Sequence, residues 1–331
     1  MLTSIPVTIA CGDYDRTRPI KDGRVAVEGC AVTYLPQEPE EIFHRAFKHA
    51  EFDVCEISFS SYLRSVDAGA PAYIGIPAFV SRLFRHSAIY IRTDRGIKEP
   101  ADLKGKTIGL PEYQITAVVW LRGILQDEYG VKPTDIAWRQ GGIEAPGRTE
   151  RTPLKPIPGL DLKPIRADGT LSSMLESGEL DAVFSARAPS AFTKGAPNVG
   201  RLFPNYREVE KAYYKKTGIF PPMHLMGIKR ELHARHPWLA ASLYKAFVQA
   251  KAIAMHEVRD VNALYVTLPW VVAETEETVK LMGEDFWRYG ARENAKDIEA
   301  LTRYAHEQGL VSRKLEMDEI FAKSTIEVSK I

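Results

Sequence analysis

The α/β character of this chain is clearest in the stretch TIGLPEYQITAVVWLRGILQDEYG (107–130). Thr107–Leu110 is a short β-prone run, and from about Ile115 the apolar residues recur near helical spacing. Gly130 is suited to the left-handed conformation that commonly ends a helix. The stretch therefore predicts a strand, a polar turn and a helix in succession, which is the local plan of an α/β fold.

The same alternation of strands and helices extends to both sides of this stretch. Pro39 is placed to begin a helix, and the following glutamates suit its first turn. Further helices are predicted over 170–178, 236–258, 277–290 and 294–309, with Asn294 as the N-cap of the last. The predicted strands are VTIACG (7–12), VTYLP (32–36), EFDVCEIS (51–58), DIAWRQ (135–140), ELDAVFSA (179–186) and MHLMGIKREL (223–232).

Two halves of the chain carry a similar short motif. Glu51–Val54 reads EFDV and Glu179–Ala182 reads ELDA, and each follows an amphipathic helix and begins a strand. The chain has 331 residues, which is more than a single core usually holds. We therefore expect two parallel α/β lobes.

Polar residues cluster after several of these strands. In open α/β sheets, ligands bind beyond the carboxyl ends of the strands. The segments 11–18, 56–62, 111–116 and 184–190 are therefore expected to converge on one cleft between the lobes. This would explain why GDYDRTR (12–18) is so rich in hydrogen-bonding groups; the alternative is a solvated turn.

Composition excludes several classes of protein. The chain has 44 basic and 43 acidic residues and a net charge of +1, so affinity for nucleic acid or for acidic membranes is not expected. Cys11, Cys30 and Cys55 are expected to be free thiols in a reducing compartment. No basic residue precedes Arg16, so the N-terminus does not resemble a secretory signal, and we expect a cytoplasmic protein without a membrane span.

Known cofactor and metal motifs are not found. No glycine-rich dinucleotide or P-loop motif is present, and no GxSxG nucleophile motif. His233 and His236 are three residues apart without a clear third ligand, so a structural or exposed role is expected.

Arginines are the most informative charged residues. Arginine binds carboxylates through two hydrogen bonds and stacks on aromatic rings, so an aromatic acid is a plausible ligand. The alternative is that most of them form surface ion pairs, worth about 0–1 kcal/mol each. The arginines that lie at strand ends or beside aromatic residues are Arg16, Arg18, Arg82, Arg85 and Arg187, and a proline-rich loop adds Arg148 and Arg151.

Three titratable residues lie where a reaction could use them. His224 follows two prolines at the predicted crossing between lobes; the alternative is a core histidine. Glu56 and Glu112 each follow an apolar run at a strand end, where partial burial would raise the pKa of a carboxyl group.

Longer phrases resemble known families. DLKGKTIGLPEYQITAVVWLRGIL (102–125) resembles type II periplasmic binding proteins. The phrases at 141–151, 170–189, 201–224 and 236–247 resemble the 4,5-dihydroxyphthalate decarboxylases, over nearly the whole chain. The resemblance implies a two-lobed periplasmic-binding-protein-like α/β fold, with lobe I at 1–90 plus 224–331 and lobe II at 91–223, and a ligand cleft between them.

The family reaction would convert 4,5-dihydroxyphthalate, a small aromatic dicarboxylate, into protocatechuate and carbon dioxide. It needs a proton donor over one ring carbon, for which His224 is the first candidate and Glu112 the second. Asp13 or Glu56 would accept the hydroxyl proton. Carboxylates would be held by Arg16, Arg82, Arg85 and Arg187, and the ring would be lined by Tyr14, Ser58, Phe79, Tyr113 and Gln114.

Other functions stay open at this point. A non-catalytic binding protein or sensor for a small aromatic carboxylate would have the same fold. The reaction needs no organic cofactor in principle, although a divalent metal is an alternative. The segment 141–166 carries five prolines and could be a lid or a subunit contact. The family resemblance favours a homo-oligomer.

Overall fold

A computed structural model describes residues 4–69 and 71–327 of the chain. The chain divides into two compact units, each built from separate stretches of sequence. The first unit contains Met1–Arg82, Pro222–Ile298 and Leu315–Ile331, and the second contains Leu83–Pro221 and Glu299–Lys314. Each unit has its own β-sheet with helices packed against it.

The strands are numbered in chain order and belong to two sheets. They are β1 (Ile5–Cys11), β2 (Cys30–Pro36), β3 (Val54–Ser58), β4 (Tyr73–Arg82), β5 (Ile89–Arg92), β6 (Thr107–Leu110), β7 (Ala137–Gln140), β8 (Asp161–Pro164), β9 (Ala182–Phe184), β10 (Val199–Arg201) and β11 (Pro222–Lys229).

The helices are also numbered in chain order, and the longest of those in the described residues is α9 (Leu239–Glu257), with 19 residues. They are α1 (Arg18–Lys21), α2 (Pro39–His49), α3 (Phe59–Asp67), α4 (Thr116–Tyr129), α5 (Leu171–Ser177), α6 (Ser190–Thr193), α7 (Tyr206–Thr217), α8 (Arg230–Arg235), α9 (Leu239–Glu257), α10 (Val271–Met282), α11 (Ala295–Glu307) and α12 (Met317–Ile320).

The sheet of the first unit has the strand order β2-β1-β3-β11-β4. β1 pairs with β2 and β3 in parallel, whereas β11 is antiparallel to both β3 and β4. Most residues of β1, β3 and β4 are buried, as expected for strands covered on both faces. The carboxyl end of β1 leads into the turn 12–17, which carries the expected site residues Asp13, Tyr14 and Arg16, and β3 itself carries Glu56 and Ser58 before α3 begins.

The sheet of the second unit has the order β10-β5-β9-β6-β7-β8. β6, β7, β8 and β9 run parallel to their neighbours within this group, β5 is antiparallel to β9, and β10 is antiparallel to β5. The expectation of two parallel lobes is therefore wrong for one strand in each sheet, β11 in the first and β5 in the second. Each of these strands is the first one after the chain passes from one unit into the other.

The EFDV and ELDA motifs make the same contact in both units. Asp53 precedes β3 and accepts hydrogen bonds from the backbone nitrogen and hydroxyl of Thr8 on β1, both at 2.9 Å. Asp181 precedes β9 and accepts one at 2.9 Å from the backbone nitrogen of Thr107 on β6. In each unit a carboxylate thus ties one strand to the start of its parallel neighbour.

One predicted helix differs from the structure. The helix expected over 277–290 is α10, which starts earlier and ends at Met282, because Gly283 adopts a φ of 90°. Asn294, the expected N-cap, directly precedes Ala295, the first residue of α11, and its side-chain oxygen accepts a hydrogen bond from Arg82 at 2.7 Å.

Three other expectations concern the cysteines, the proline-containing segment and membrane spans. Cys11 and Cys55 are buried free thiols, and Cys30 is partly exposed. The proline-containing segment 141–166 includes β8 near its end. Among the described residues, no helix is both long enough and apolar enough to span a membrane.

Candidate functional site

The carboxylate of Glu56 is the centre of a polar cluster in the first unit. It lies on β3, and its residue is 0% exposed. Its Oε1 accepts a hydrogen bond from the Tyr14 hydroxyl at 2.7 Å, and its Oε2 accepts one from the backbone nitrogen of Gly12 at 2.9 Å. The thiol of Cys11 lies 3.5 Å from Oε2. The first turn after β1 is thus tied to the neighbouring strand β3.

His224 completes this cluster from the antiparallel strand β11. Its Nδ1 lies 2.6 Å from Oε1 of Glu56, and its side chain is 20% exposed. The pairing of β11 with β4 shifts register on both sides of His224, an irregularity of the kind that re-aims side chains near active sites. In the register with β3, His224 faces Ser58, so Glu56 is its diagonal neighbour on the same face. Phe43 of α2 packs edge-on against the imidazole, with ring centroids 4.7 Å apart.

The hydrogen bonds to Glu56 favour its ionised form. Burial alone would raise the pKa of this carboxyl group, but the hydrogen bonds from His224, Gly12 and Tyr14 outweigh burial and place the pKa below its ordinary value. Burial, together with the charge of Glu56, raises the pKa of the Tyr14 hydroxyl far above its ordinary value. Tyr14 therefore keeps its proton and donates a hydrogen bond to Glu56 throughout the neutral pH range.

Arg16 is held between two aromatic rings. Its guanidinium carbon lies 4.3 Å from the ring centroid of Tyr14 and 4.1 Å from that of Trp287. Its Nε donates to the carbonyl oxygen of Val80 at 2.8 Å, and its Nη1 pairs with Asp15 at 2.8 Å. These contacts fix the plane of the guanidinium and use much of its hydrogen-bonding capacity.

Asp13 lies in the same turn as Gly12 and Tyr14 and is exposed. It pairs with Lys21 at 2.8 Å and with Arg18 at 3.6 Å. The hydrogen bond from Lys21 lowers the pKa of Asp13, so this carboxylate is ionised at neutral pH.

Two of the expected ring-lining residues lie in buried surroundings in the first unit. Phe79 is 0% exposed and packs against Phe59 and Phe321, with ring centroids 5.9 and 6.2 Å away. Ser58 is buried at the last position of β3 and faces His224 across the strands. Ser58 thus lies beside His224 of the polar cluster, whereas Phe79 contributes to an aromatic core.

Arg82 forms a buried ion-pair network in the first unit. Its guanidinium pairs with the carboxylate of Asp297 and donates to Asn294 at 2.7 Å and to the carbonyl oxygen of Arg288 at 2.8 Å. The side chains of Arg82 and Asp297 are each 1% exposed. The network connects the end of β4 to the start of α11.

A second carboxylate cluster lies in the second unit, after β6. Glu112 accepts hydrogen bonds from Nε and Nη2 of Arg148 at 3.0 and 2.7 Å and from the backbone nitrogen of Arg151 at 2.9 Å. Its side chain is almost fully buried. The phrase GRTER, which the proline-containing segment carries, is thus folded against the turn that follows β6.

Glu150 is a site residue that the sequence did not single out. It accepts hydrogen bonds from the backbone nitrogens of Tyr113 and Gln114 and from the Gln114 side chain at 2.7 Å. Burial is the largest influence on its carboxyl group and raises the pKa. The sequence could have indicated Glu150 through its position between Arg148 and Arg151 in GRTER.

Tyr113 and Gln114 are themselves fully buried. The Tyr113 ring stacks on the guanidinium of Arg122, whose carbon lies 3.6 Å from the ring centroid.

The remaining two expected arginines have different surroundings in the second unit. Arg187 is exposed after β9, and its backbone nitrogen donates to Ser185 at 3.2 Å. Arg85 is buried, and burial lowers its pKa to about 10, while the charge of Glu210 on α7 acts in the opposite direction. His86 beside it is buried as well, and its Nδ1 lies 3.8 Å from Glu210.

Glu210 is expected to make stability depend on pH. Burial raises the pKa of Glu210 from 4.5 to about 7, so between these values the folded state binds more protons than the unfolded state. The free energy of unfolding should therefore fall as pH rises through this window, by about 3 kcal/mol. Urea unfolding at several pH values checks this, because Glu210→Gln should remove that part of the slope. An unchanged slope in Glu210→Gln would contradict the expectation.

Among residues 4–69 and 71–327, no group of three or more histidine, cysteine, aspartate or glutamate side chains is arranged to hold a metal ion.

The structure brings together Tyr14, Glu56, Ser58 and His224 in the first unit, and Glu112, Tyr113 and Gln114 in the second. Cys11, Trp287, Arg148, Arg151 and Glu150 join them as contacts that the sequence had not assigned to the site.

Comparison with known sequences gives three matches. The family described as NMT1/THI5 like matches residues 20–145. A 4,5-dihydroxyphthalate decarboxylase of Comamonas testosteroni is 44% identical over 330 residues, which cover 100% of this chain and 100% of the relative. A 4,5-dihydroxyphthalate decarboxylase of Pseudomonas putida is 47% identical over 215 residues, which cover 65% of this chain and 83% of the relative.

Comparison with solved structures identifies the fold. The periplasmic aliphatic sulphonate-binding protein SsuA of Escherichia coli has a TM-score of 0.52 at 12% identity, with 97% of this chain and 99% of that chain covered. A periplasmic sulfonate-binding protein SsuA of Methylobacillus flagellatus has a TM-score of 0.54 at 13% identity, with 96% and 92% covered. The expected periplasmic-binding-protein-like α/β fold is confirmed.

Proposed function

Since the chain belongs to the 4,5-dihydroxyphthalate decarboxylase family, we propose that it converts 4,5-dihydroxyphthalate to protocatechuate and carbon dioxide. The observation that carries the proposal within the chain is the pair formed by His224 and the buried carboxylate of Glu56. A histidine held in this way is the kind of group that transfers a proton to or from a substrate at neutral pH.

The reaction replaces one carboxylate on the aromatic ring by a proton. The departing carboxylate lies para to a ring hydroxyl. When that hydroxyl gives up its proton, its electrons allow the para ring carbon to take a proton from an acid and form a dienone-like intermediate. The bond to the carboxylate then breaks, its electron pair restores the aromatic ring, and carbon dioxide leaves. Finally the oxygen regains its proton, so atoms and charges balance without a redox step.

His224 is the proposed proton donor. Its Nδ1 is directed at Glu56, so Nε2 is the nitrogen that would meet the ring carbon. The carboxylate of Glu56, bound to Nδ1, fixes the orientation of the imidazole. Glu56 is buried and accepts hydrogen bonds from three groups, so it acts as a positioning residue rather than as the base.

Asp13 is the proposed acceptor of the hydroxyl proton. Of the two carboxylates expected for this step, Asp13 is the exposed one, and it is ionised at neutral pH. Tyr14, whose hydroxyl is bound to Glu56, and Ser58 would contact the substrate beside His224.

Recognition of the carboxylate that stays on the ring is assigned to arginine. Arg187 is the exposed candidate in the second unit. Arg148 and Arg151 surround Glu112, so this cluster would bind a carboxylate only together with a proton on Glu112 or with displacement of its side chain. Arg82 and Arg85 are buried, and we propose a structural role for both.

An assay with the purified protein tests the function. Chelator-treated protein is mixed with 4,5-dihydroxyphthalate, and carbon dioxide and protocatechuate are followed with and without added Mg²⁺ or Mn²⁺. We expect equimolar amounts of the two products without added metal. Turnover that requires the ion would replace the acid–base proposal by a metal-assisted one. Tight binding without product would contradict catalysis and indicate the alternative, a binding protein or sensor for an aromatic carboxylate.

A further inference from the structure

Six exposed large apolar side chains lie close together in sequence in the first unit, around the start of α10. Trp270 is 71% exposed and Tyr265 is 56% exposed, although large apolar side chains are usually buried. We define the 261–272 surface by its exposed members, which are Val261, Leu264, Tyr265, Leu268, Trp270 and Val272.

The connection that carries most of this surface is unusual in length. It runs from Val258 to Trp270, between α9 and α10, and contains no helix or strand. Connections this long without secondary structure are uncommon in compact domains and usually have a function. A hydrophobic sequence in such a position is costly to keep in water, which indicates that something covers it.

A hollow lies directly beside the protruding residues. Its volume is about 270 Å³, and its apolar wall is formed by Val258, Val261, Val272 and Val279. This is large enough for one aromatic side chain. The same surface therefore offers both a protruding aromatic residue, Trp270, and an apolar hollow that could receive one.

A protrusion and a matching hollow on one surface are what a two-fold symmetric contact requires. In such a contact the same patch of both subunits meets, and residue i of one copy contacts residue j of the other in both directions. A partner of different sequence would need only one of the two features. The pairing of both on this chain favours a second copy as the occupant.

The apolar area is in the range that a stable dimer needs. From the exposed fractions, the six side chains present about 400–500 Å² of apolar surface. An interface of standard size buries about 800 Å² on each partner, of which roughly 57% is non-polar, so it needs about 450 Å² of apolar surface. A patch of this size on a monomer is at the upper end of what is usually found.

The charges around the surface favour a protein partner over a membrane. Arg259 and Glu284 form an ion pair beside the hollow, and Glu276 lines it, so both signs are present for contacts with an identical copy. Acidic side chains outnumber basic ones from 259 to 284, which disfavours an anionic lipid surface. The bases are Arg259 and Lys280, and the acids are Asp260, Glu274, Glu276, Glu277 and Glu284.

We propose that the 261–272 surface is the contact between two copies of this chain, with Trp270 of each copy seated in the hollow of the other. The proposal is independent of the reaction assigned above, because it rests on residues that take no part in it. Aromatic residues in such a position usually carry a large share of the binding energy.

The variant Leu264→Asp/Trp270→Asp tests the proposal in the full chain. Both residues are exposed, and Trp270 is at the N-cap of α10, a position that aspartate suits, so folding is not expected to suffer. Trp238→Asp is a matched control, because Trp238 is 44% exposed and is at the N-cap of α9. Sedimentation equilibrium at micromolar concentration measures the mass, and circular dichroism and thermal unfolding monitor the fold.

We expect the wild type and Trp238→Asp to sediment as a dimer or a larger even assembly of the 37.1 kDa chain. The double variant should sediment with half that number of subunits or fewer, with a dissociation constant about 10²–10³-fold higher for the lost contact. A monomeric wild type, or a double variant with the wild-type mass, would overturn the proposal. Binding of the monomeric wild type to neutral phosphatidylcholine vesicles would assign the surface to a membrane instead.

Discussion

His224→Asn should reduce kcat for the proposed decarboxylation by about 10²–10⁴-fold while the dissociation constant of the substrate changes little. Asparagine can keep a hydrogen bond to Glu56, which His224 contacts at 2.6 Å, but it cannot donate a proton to a ring carbon. Single-turnover kinetics measures the chemical step, and isothermal titration calorimetry with the inactive variant measures binding.

His49→Asn is the matched control for this experiment. His49 is exposed at the last position of α2, and its replacement should leave kcat and binding unchanged. Turnover close to that of the wild type in His224→Asn would contradict the role of proton donor. A parallel loss of binding and turnover would instead mean that His224 shapes the site without transferring the proton.

Arg82→Met should lower the free energy of unfolding by about 3–5 kcal/mol, because it leaves the carboxylate of Asp297 buried without its cation. The hydrogen bonds to Asn294 and to the carbonyl oxygen of Arg288 would be lost at the same time. Urea unfolding followed by circular dichroism measures the change. This effect would distinguish a structural Arg82 from one that holds the substrate.

Two further variants complete this experiment. Arg82→Met/Asp297→Leu removes both charges and should recover a large part of the lost stability. Arg166→Met breaks an ion pair with Glu179 in which both side chains are over 40% exposed, and it should cost at most about 1 kcal/mol. If Arg82→Met is as stable as the wild type and raises KM instead, the residue contacts substrate and our structural assignment is wrong.

The sequence predicted those parts of the fold that depend on local patterns. Thr107–Leu110 is a strand with the predicted bounds, and α4 ends before Gly130, which adopts a φ of 65°. Pro39 is the first residue of α2, as expected for proline at this position. In these places the preference of the residues and the tertiary structure agree, so the local signal is sufficient.

The expectation of parallel strands was wrong for β5 and β11, and the strands β4, β5, β8 and β10 were not predicted. β4 contains Pro77, which is unusual inside a strand, and its residues Phe79 and Arg82 were instead named as candidate site residues. β5, β8 and β10 have three or four residues each, too few for a periodic pattern. Whether β11 runs parallel or antiparallel to β3 depends on how the chain returns to the sheet, which no local pattern contains.

The candidate site was predicted as a set of residues but not as a set of contacts. Glu56 and His224 were both named, yet their hydrogen bond joins positions 168 residues apart along the chain. Phe79 and Arg82 were also named, although one lies in an aromatic core and the other in a buried ion pair. A charged or aromatic residue near a strand end can face either side, and only the packing around it decides which.

The paired aspartates of the EFDV and ELDA motifs provide one spectroscopic probe for each unit. The amide protons of Thr8 and Thr107 are each donated to a carboxylate, Asp53 in one unit and Asp181 in the other. Hydrogen–deuterium exchange at these two amides would therefore report the opening of each unit separately in a single NMR sample. Unequal exchange rates would show that one unit unfolds while the other is still folded, which a single denaturation curve cannot resolve.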